Sequence, residues 1–429
     1  MLPHLPSPSA QHDPNRAFTR RGFLAASALV APAAWFLGSN GVAKADEDTR
    51  GDAGTQALGL AWYDLTNQAV AAAKFAEPVT QSRAWAVSWL AAANAVRLGG
   101  SPDYNAAALP QALHDALAVL VPSQQAVLDA ALVTSLAAVP DGPLKQQGIA
   151  RGRSAAAAVL AEREGDGLDT ASVDIRFTPP PAAPGVFQLT PPATRPVIRA
   201  GQGNARPFLL TSNDQFDPGA PPALGSDIYL NDLAEVHAIG ATTSPRTAGQ
   251  TDVALFWYPS VNFAYVPLIR TVLAANPYRL SWQAKFIAAF HLITTDAQIS
   301  IYNAKYKYLR WRPYTAITTG TVSQDPAWAS LSVAPQHPEY PSGHGGQAGA
   351  SQEVLEAFLG PKAPVAIPLT SSSDPGVTRT YTDWATITRE IVDARVWEGV
   401  HFRHSDTTAV HQGRLVARYG LANLKSLGL

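Results

Sequence analysis

Apolar residues recur at helical spacing through most of the chain, and this periodicity constrains the fold more than any other feature. From Leu58 to about Glu164 the pattern is helical nearly throughout. Trp85 and Trp89 lie on one face of such a helix, which Gly99-Gly100 would end. Alternating patterns typical of β-strands are scarce, so the sequence predicts an all-α protein.

A proline-rich segment interrupts the helical pattern. Pro179-Pro180-Pro181 and Pro191-Pro192 fall within residues 176–207, and proline lacks the amide hydrogen that helices and central strands require. We therefore predict two helical bundles, residues 46–175 and 226–429, joined by a proline-rich strap over residues 176–225. The second bundle has candidate helices at about residues 226–239, 248–274, 279–310, 343–359, 383–397 and 406–425.

The N-terminal segment has the organisation of an export signal. Thr19-Arg20-Arg21-Gly22-Phe23-Leu24 leads into an alanine-rich apolar run, and Ala43-Lys44-Ala45 forms a small-x-small cleavage pattern. A membrane anchor is the alternative, but the run is short and contains Pro32, whereas a spanning helix needs roughly 20 strongly apolar residues. We predict a twin-arginine signal peptide over residues 1–45 and a folded mature protein in the periplasm or outside the cell.

Charge and composition argue against several classes of site and partner. The formal net charge is −1, so no overall basic excess favours nucleic acid or an anionic membrane surface as a partner. The chain has no cysteine, which excludes disulfides, iron–sulfur clusters, thiolate zinc sites and a cysteine nucleophile. Met1 is the only methionine. Compositional drift and protection from strong oxidants explain the scarcity of cysteine and methionine equally well.

A basic and aromatic segment, Lys305-Tyr306-Lys307-Tyr308-Leu309-Arg310-Trp311-Arg312-Pro313, supplies the first candidate motif. On a regular helix Lys305 and Arg312 are two turns apart, so their side chains point the same way, roughly 10 Å apart along the axis. Two cations at this separation can converge on one ligand. A solvated basic face is the alternative, although Trp311 and the tyrosines indicate a half-buried surface.

The second motif, Pro341-Ser342-Gly343-His344, resembles the start of a helix. There the Ser342 hydroxyl and the Gly343 amide can donate to an anion, assisted by the positive end of the helix. His344 adds a group that can give or take a proton near neutral pH. A simple helix cap is the alternative interpretation.

The third motif pairs Arg395 with His401, six residues later. On a regular helix these side chains point roughly 120° apart, so the helix must break, at about Gly399, for both to meet one ligand. Taken alone, His401 is better explained as a hydrogen-bonded core or surface histidine.

Together the motifs match a tetrahedral oxyanion such as phosphate or vanadate, whose charge must be neutralised and whose oxygens need convergent donors. Carboxylate or cysteine clusters at ligand spacing are missing, so the inventory does not match zinc, calcium or haem. The inventory consists of the cations Lys305, Arg312 and Arg395, the donors Ser342 and Gly343, and the histidines His344 and His401.

In this order, the patterns K-x6-RP, PSGH and R-x5-H resemble the signature shared by vanadium-dependent haloperoxidases and phosphatidic-acid-phosphatase-type acid phosphatases. The stretches "DAQISIYNAKYKYLRWRPYTAI", "HPEYPSGHGG" and "ARVWEGVHFR" are similar to the secreted bacterial haloperoxidases. The resemblance covers the chain from about residue 57. It implies the two-bundle helical fold of that family, vanadate as cofactor, and hydrogen peroxide, halide and a small organic acceptor as reactants. A homodimer is the candidate assembly, and neither nucleic acid nor membrane is an expected partner.

The resemblance also implies a role for each motif residue. Vanadium would remain fully oxidised and polarise bound peroxide so that a halide attacks one oxygen. The implied roles are the vanadium bond for His401, charge neutralisation for Lys305, Arg312 and Arg395, donation to vanadate oxygens for Ser342 and the Gly343 amide, acid–base catalysis for His344, and peroxide polarisation for Lys305.

Two departures from the shared pattern count against a dedicated phosphatase. The phosphatases have Ser before the arginine and Asp four residues after the histidine, and this chain has Ala394 and Ser405 there. Asp406 follows one position late, so it would not orient His401 as a nucleophile. A phosphomonoesterase nevertheless remains the second candidate, and a non-enzymatic oxyanion binder the third.

Four other residues receive separate predictions. A histidine at the position of His337 accompanies bromoperoxidases in the family, so we expect bromide to be favoured over chloride, and a cap on the proline-rich turn is the alternative. Asp296 lies nine residues before Lys305 and would face away from it, which favours a structural role. His404 and His411 are expected at the surface.

Overall fold

The computed structural model describes residues 50–97, 100–192, 196–259 and 261–429, which belong to one compact unit. The predicted signal peptide lies outside these residues. The described residues are mostly helical, which confirms the predicted fold class. Among them, no helix combines the length and the hydropathy needed to cross a lipid bilayer. The boundaries of the two bundles and the strap stay predictions.

Three of the six described N-terminal helices begin at prolines, which are favoured at a first helical position because the missing amide hydrogen has no helical partner there. Asp52 caps the first helix by accepting from the Thr55 amide at 2.7 Å. The helical pattern predicted between Leu58 and Glu164 is therefore confirmed. These helices are α1 (Ala53–Ala72), α2 (Pro78–Ala95), α3 (Pro102–Leu120), α4 (Gln125–Ala137), α5 (Pro143–Glu162) and α6 (Thr170–Val173).

The described part of the proline-rich segment, between α6 and residue 227, forms no α-helix and no paired strand of more than one residue. Its one short helical turn is a 3-10 turn at Gln202–Asn204. The helices that follow are α7 (Asp227–Ile239), α8 (Ala248–Phe256), α9 (Asn262–Ala275), α10 (Leu280–Tyr308), α11 (Pro313–Thr319), α12 (Gly343–Leu359), α13 (Trp384–Trp397) and α14 (Arg403–Asn423).

Two of the candidate helices were wrong in extent. The single helix predicted over residues 248–274 is divided into α8 and α9, and Pro259 lies between them. The helix predicted over residues 279–310 ends at Tyr308, because Leu309 adopts a left-handed conformation with φ 48°. This second difference changes the geometry of the first candidate motif.

A β-hairpin was not predicted at all. Strand β1 (Lys362–Ser371) pairs antiparallel with β2 (Asp374–Asp383), and Ile367, Leu369 and Tyr381 bury their side chains against the neighbouring helices. Pro364 and Pro368 within β1 conceal the strand pattern, since proline is disfavoured in paired strands.

The long helix α10 forms the centre of the core and packs against α2, α12 and α14. Nearly all of its residues from Leu280 to Lys305 are buried, including His291, whose ring stacks on Trp85 of α2 with centroids 4.8 Å apart. Helix α10 therefore carries its C-terminal residues into the interior, beside the first turn of α12.

Asp296 of α10 anchors the proline-rich segment to the core. Its fully buried carboxylate accepts from the backbone amides of Phe208, Leu209 and Leu210 at 2.7, 2.7 and 3.1 Å. Burial raises the pKa of Asp296 to about 6, and these amides oppose the shift. The structural interpretation of this residue agrees with these contacts.

We expect Asp296→Ala to lower the free energy of unfolding by at least about 3 kcal/mol, because three buried amides lose their acceptor at roughly 1–3 kcal/mol each. Asp296→Asn should cost less, since its amide oxygen still accepts. Urea unfolding followed by circular dichroism measures both. Asp141→Ala, at an exposed aspartate, is the matched control and should change nothing measurable. Equal stability of Asp296→Ala and wild type would contradict the anchoring role.

Candidate active site

Residues from the predicted motifs meet around one cavity of about 580 Å³. Gly343, His344, Arg395 and His401 line this cavity together with His337. The other predicted site residues, Lys305, Arg312 and Ser342, are fully buried beside these lining residues. The tertiary structure therefore brings together every residue that the sequence assigned to an oxyanion site.

Lys305 and Arg312 are positioned by two different elements, whereas the prediction placed them on one helix. Lys305 lies in the last turn of α10, whereas Arg312 lies beyond the left-handed Leu309 and caps α11 with extended backbone. The helical-spacing argument was therefore wrong for this pair. Lys305 Nζ donates to the Glu339 carbonyl at 2.9 Å, and Arg312 Nη1 lies 3.1 Å from His401 Nε2. Both cations nevertheless enter the same buried cluster.

Helix α12 begins at Gly343 with Ser342 as its N-cap, as the sequence predicts, and the Ser342 hydroxyl accepts from the Gly345 amide at 3.3 Å. Gly345 permits a close approach of α14, since a Cβ there would lie 2.7 Å from the Asp406 carbonyl oxygen. This contact holds the positive end of α12 beside the cluster.

The break predicted between Arg395 and His401 is present. Helix α13 ends at Trp397, and Gly399 adopts φ 75°, a conformation that residues with a Cβ rarely adopt. A Cβ at Gly399 would also meet the Gly240 carbonyl oxygen. The turn therefore places the side chains of Arg395 and His401 at the same cavity.

The sequence analysis missed the carboxylates that accompany the cations. Glu339, Glu398 and Asp406 are all fully buried, with exposures of 1%, 0% and 0%. Glu339 contacts His401, Glu398 accepts from Arg395 Nη1 at 2.6 Å, and Asp406 neighbours the Ser342 hydroxyl. Glu339 and Glu398 lie inside two of the quoted motifs, so an acidic residue within an otherwise buried motif was the available signal.

Glu339 determines which nitrogen of His401 carries the proton. Its Oε1 atom lies 2.7 Å from His401 Nδ1 and also accepts from the Phe402 amide at 3.1 Å. A carboxylate only accepts, so Nδ1 is protonated and the lone pair of His401 is on Nε2. Arg312 Nη1, a donor 3.1 Å from Nε2, is consistent with this tautomer. His401 can thus offer Nε2 to an electrophilic centre.

A backbone carbonyl orients the ring of His344. Its Nε2 lies 3.0 Å from the Pro259 carbonyl oxygen, between α8 and α9, so Nε2 is the protonated nitrogen and Nδ1 carries the lone pair. Burial, with Arg395 nearby, lowers the pKa of His344 well below its usual range. In the resting site His344 is therefore neutral, and Nδ1 is its acceptor atom.

His337 forms part of the cavity wall. Its Nδ1 lies 3.1 Å from Arg312 Nη2, and its Nε2 lies 3.2 Å from the Tyr302 hydroxyl. Burial, with Lys305 and Arg312 close by, lowers the pKa of His337 well below its usual range. The ring thus links the cation cluster to Tyr302.

Burial shifts the pKa values of both the cationic and the acidic side chains in the cluster. It lowers the pKa of Lys305 well below its usual range, assisted by Arg312, and it lowers the pKa of Arg312 to about 10. It raises the pKa of Glu398 to about 7, opposed by Arg395, and raises the pKa of Asp406 well above its usual range. The opposite shifts have one cause, the loss of water around charged groups.

The donor set fits an oxyanion. Arg395 Nε is buried and has no acceptor among the described residues, and two of the three Lys305 Nζ hydrogens suffice for its bonds to the Pro338 and Glu339 carbonyls. Within the described ranges, no group of His, Cys, Asp and Glu side chains could hold a metal cation. The cationic donors thus lie at the cavity beside His401, whose Nε2 carries a lone pair.

His404 is the one histidine whose predicted location was wrong. It is half-buried, because its ring stacks on Tyr340 with centroids 6.0 Å apart and its amide donates to Asp232 at 2.8 Å. His411 is exposed, as predicted.

Comparisons with known proteins agree on the architecture. Residues 285–427 match the family model of the VCPO second helical-bundle domain. A solved structure of a bacterial vanadium-dependent iodoperoxidase is 21% identical, with a TM-score of 0.71, over 86% of this chain and 96% of that one. This chain has the vanadium-dependent haloperoxidase fold. The predicted resemblance to that family is confirmed at this level.

A second haloperoxidase structure supports the same fold. The holo form of a bacterial vanadium-dependent chloroperoxidase is 17% identical, with a TM-score of 0.64, over 82% of this chain and 92% of that one. Its apo form has a TM-score of 0.61 at 17% identity, over 81% of this chain and 93% of that one. No curated protein sequence matches the chain. The haloperoxidase fold is therefore recognised here through structure and through the second-domain model.

The Glu339 contact predicts different effects on two similar anions. Orthovanadate can bond to a histidine nitrogen, whereas phosphate binds by charge and hydrogen bonds alone. Glu339→Ala removes the acceptor that holds the His401 tautomer, so we expect vanadate affinity to fall by about tenfold or more. Phosphate affinity should stay equal or rise, because a nearby negative charge is lost. Calorimetric titration of both anions measures this.

Two further variants complete the Glu339 experiment. Glu339→Gln keeps an oxygen acceptor for His401 and should lose less vanadate affinity than Glu339→Ala. Glu353→Gln removes a carboxylate from a pair with the largely exposed Arg418 and serves as the control. A Glu339→Ala protein that loses affinity for both anions by the same factor would contradict the tautomer role.

Proposed function

We propose that this protein is a vanadate-dependent haloperoxidase, which uses hydrogen peroxide to oxidise halide to a hypohalous-acid-like species that halogenates a small organic acceptor. One observation carries the proposal. His401, with its lone pair on Nε2, lies at a cavity beside the cations Arg312 and Arg395. The haloperoxidase fold and the second-domain match support the same activity.

Each site residue has its own role in the proposed reaction. Arg312, Arg395 and Lys305 compensate the charge of the oxyanion, and the positive end of α12 adds the Gly343 amide. His401 Nε2 would hold the cofactor through a bond to vanadium. Bound vanadate supplies a Lewis-acid centre that withdraws electron density from peroxide. His344, neutral at rest, accepts the proton that peroxide loses and returns it when the oxidised halide leaves.

Bromide is the proposed halide, in preference to chloride. The support is His337, whose position in the motif accompanies bromoperoxidases, and which lies in the cavity wall beside Arg312. The solved relatives are named for iodide and chloride, so their names do not decide the halide of this chain.

A phosphomonoesterase is the second candidate, and Glu339 favours it more than the sequence did. The displaced Asp406 appeared to leave His401 without an orienting carboxylate. Glu339, from a different segment, lies 2.7 Å from Nδ1 and supplies that contact. The sequence argument against a phosphatase therefore loses its physical basis, and activity must separate the two functions.

We infer export by the twin-arginine route to the periplasm or the exterior. The support is the twin-arginine segment Thr19–Leu24 followed by an apolar run and the Ala43-Lys44-Ala45 pattern.

The deciding experiment measures both activities on one preparation. Protein incubated with vanadate should halogenate a phenol or diketone reporter in the presence of peroxide, faster with bromide than with chloride. Hydrolysis of p-nitrophenyl phosphate is followed in parallel. Rapid phosphate hydrolysis without halogenation would overturn the haloperoxidase proposal, and tight phosphate binding with neither activity would leave only an oxyanion binder.

Two histidine variants should separate cofactor retention from turnover. His401→Ala removes the bond to vanadium and should lose vanadate on dialysis. His344→Ala keeps the binding groups and should retain measurable vanadate but lose most turnover, about 100-fold or more. Metal analysis after dialysis and the bromide assay give the two readouts. His411→Ala, at an exposed histidine, is the matched control. Equal vanadium content in His401→Ala and wild type would contradict the proposed bond.

A further inference from the structure

Arg199 is a cation at the cavity to which the proposed reaction gives no role. It lies in the proline-rich segment and lines the same cavity as His344 and His401. Its Nη1 donates to the Tyr302 hydroxyl at 2.8 Å, and Tyr302 in turn contacts His337. Arg199 is thus linked through Tyr302 to His337, which contacts Arg312 of the oxyanion cluster.

The backbone at Arg199 is held in a conformation that residues with a Cβ adopt rarely. Its φ is 61°, in the left-handed region, and its amide donates to the Asp174 carboxylate at 2.7 Å. Strained residues persist only where surrounding contacts impose them, and they concentrate at binding sites. The contacts of the side chain show which of its donors remain for a ligand.

The guanidinium of Arg199 has N–H donors that no described residue accepts from. Its Nε donates to Glu77, the buried N-cap residue of α2, and Nη1 donates to Tyr302. No described residue accepts a hydrogen bond from Nη2. The side chain is 22% exposed, so the unused donors are accessible. A guanidinium fixed in this way can bind a carboxylate or another planar acid group.

Apolar side chains share the cavity wall with Arg199 and the site residues. They include Pro78, Ile198, Tyr258, Val261 and Val333. A cavity of about 580 Å³ with both apolar and polar side chains in its wall has the size of a site for a small organic ligand. A halide ion would not need such a wall, whereas a ring or chain next to an acid group would.

We propose that Arg199 and this apolar wall form a subsite for the organic acceptor, selecting acceptors that carry an acid group on an apolar body. The proposal rests on the haloperoxidase function proposed above. Arg199 binds the acid group, the wall binds the hydrocarbon, and the acceptor is halogenated within the cavity, next to the oxidising centre. The step balances with the hypohalous-acid-like species as oxidant: a C–Br bond replaces one C–H bond of the acceptor, the O–Br bond breaks, and the displaced proton and the hydroxide leave as water.

The test compares two acceptors with the same phenol ring, the anionic 4-hydroxyphenylacetate and its neutral methyl ester. For wild-type protein with vanadate, peroxide and bromide, kcat/KM for the anionic acceptor should exceed that for the ester by at least about tenfold. In Arg199→Gln this ratio should fall to about one. The ratio is taken within each variant, so a change in halide oxidation that is common to both acceptors cancels.

Three further variants keep the result interpretable. Arg199→Lys retains the charge without the planar fork and should give an intermediate ratio. Arg199→Gln combined with Glu77→Gln removes both members of the buried pair and avoids an unpaired carboxylate if the single variant folds poorly. Arg379→Gln is the matched control, because Arg379 also pairs with a glutamate, is 26% exposed and does not line this cavity. Its ratio should equal that of wild type.

A binding measurement is independent of turnover. Vanadate-loaded protein without peroxide should bind 4-hydroxyphenylacetate in a calorimetric titration, and Arg199→Gln should bind it at least about tenfold more weakly. Equal ratios in wild type and Arg199→Gln, or turnover that does not saturate with acceptor, would overturn the subsite. A changed KM for bromide with an unchanged acceptor ratio would also overturn it, and would assign Arg199 to halide. Absence of halide oxidation in wild type would instead refute the proposed function, while acceptor binding could still be measured.

Discussion

The burial of charged groups together is the constraint on which the site depends. Lys305, Arg312 and Arg395 are removed from water, and each such removal costs several kcal/mol unless partners compensate it. Glu339, Glu398 and Asp406 lie within the same cluster, and backbone carbonyls accept from Lys305 and Arg312. An arrangement with so many mutual contacts tolerates little displacement. A rigid set of donors is what recognition of a tetrahedral anion requires.

The scaffold holds these groups in place from several directions. Helix α10 brings Lys305 into the interior, Asp296 ties the proline-rich segment to the same helix, and the contact at Gly345 presses α12 against α14. The segments that carry the cations are therefore fixed by packing outside the site. Their convergence is a property of the core, because none of these contacts involves the anion.

The pairing of Glu339 with His401 explains how one pocket can serve two chemistries. A histidine with its proton on Nδ1 can bond to vanadium through Nε2, and the same lone pair can attack a phosphoryl group. The scaffold and the cations suit either reaction. The cavity of about 580 Å³ beside the cluster has Arg199 and apolar side chains in its wall, which is the basis for proposing an organic acceptor there.

The helical class, the proline-rich break, the start of α12 at Gly343 and the turn at Gly399 could all be predicted from the sequence, because each depends on local periodicity or on the backbone of Pro and Gly. The sequence also named the cations and histidines that meet at the cavity. How Arg312 meets Lys305 is visible only in the folded chain, since the left-handed Leu309 removes their helical relationship. The same holds for the contacts of Glu339 and Glu398, the place of Arg199 at the cavity and the hairpin β1–β2. These depend on contacts between residues far apart in the chain, and spacing along a sequence carries no information about such contacts.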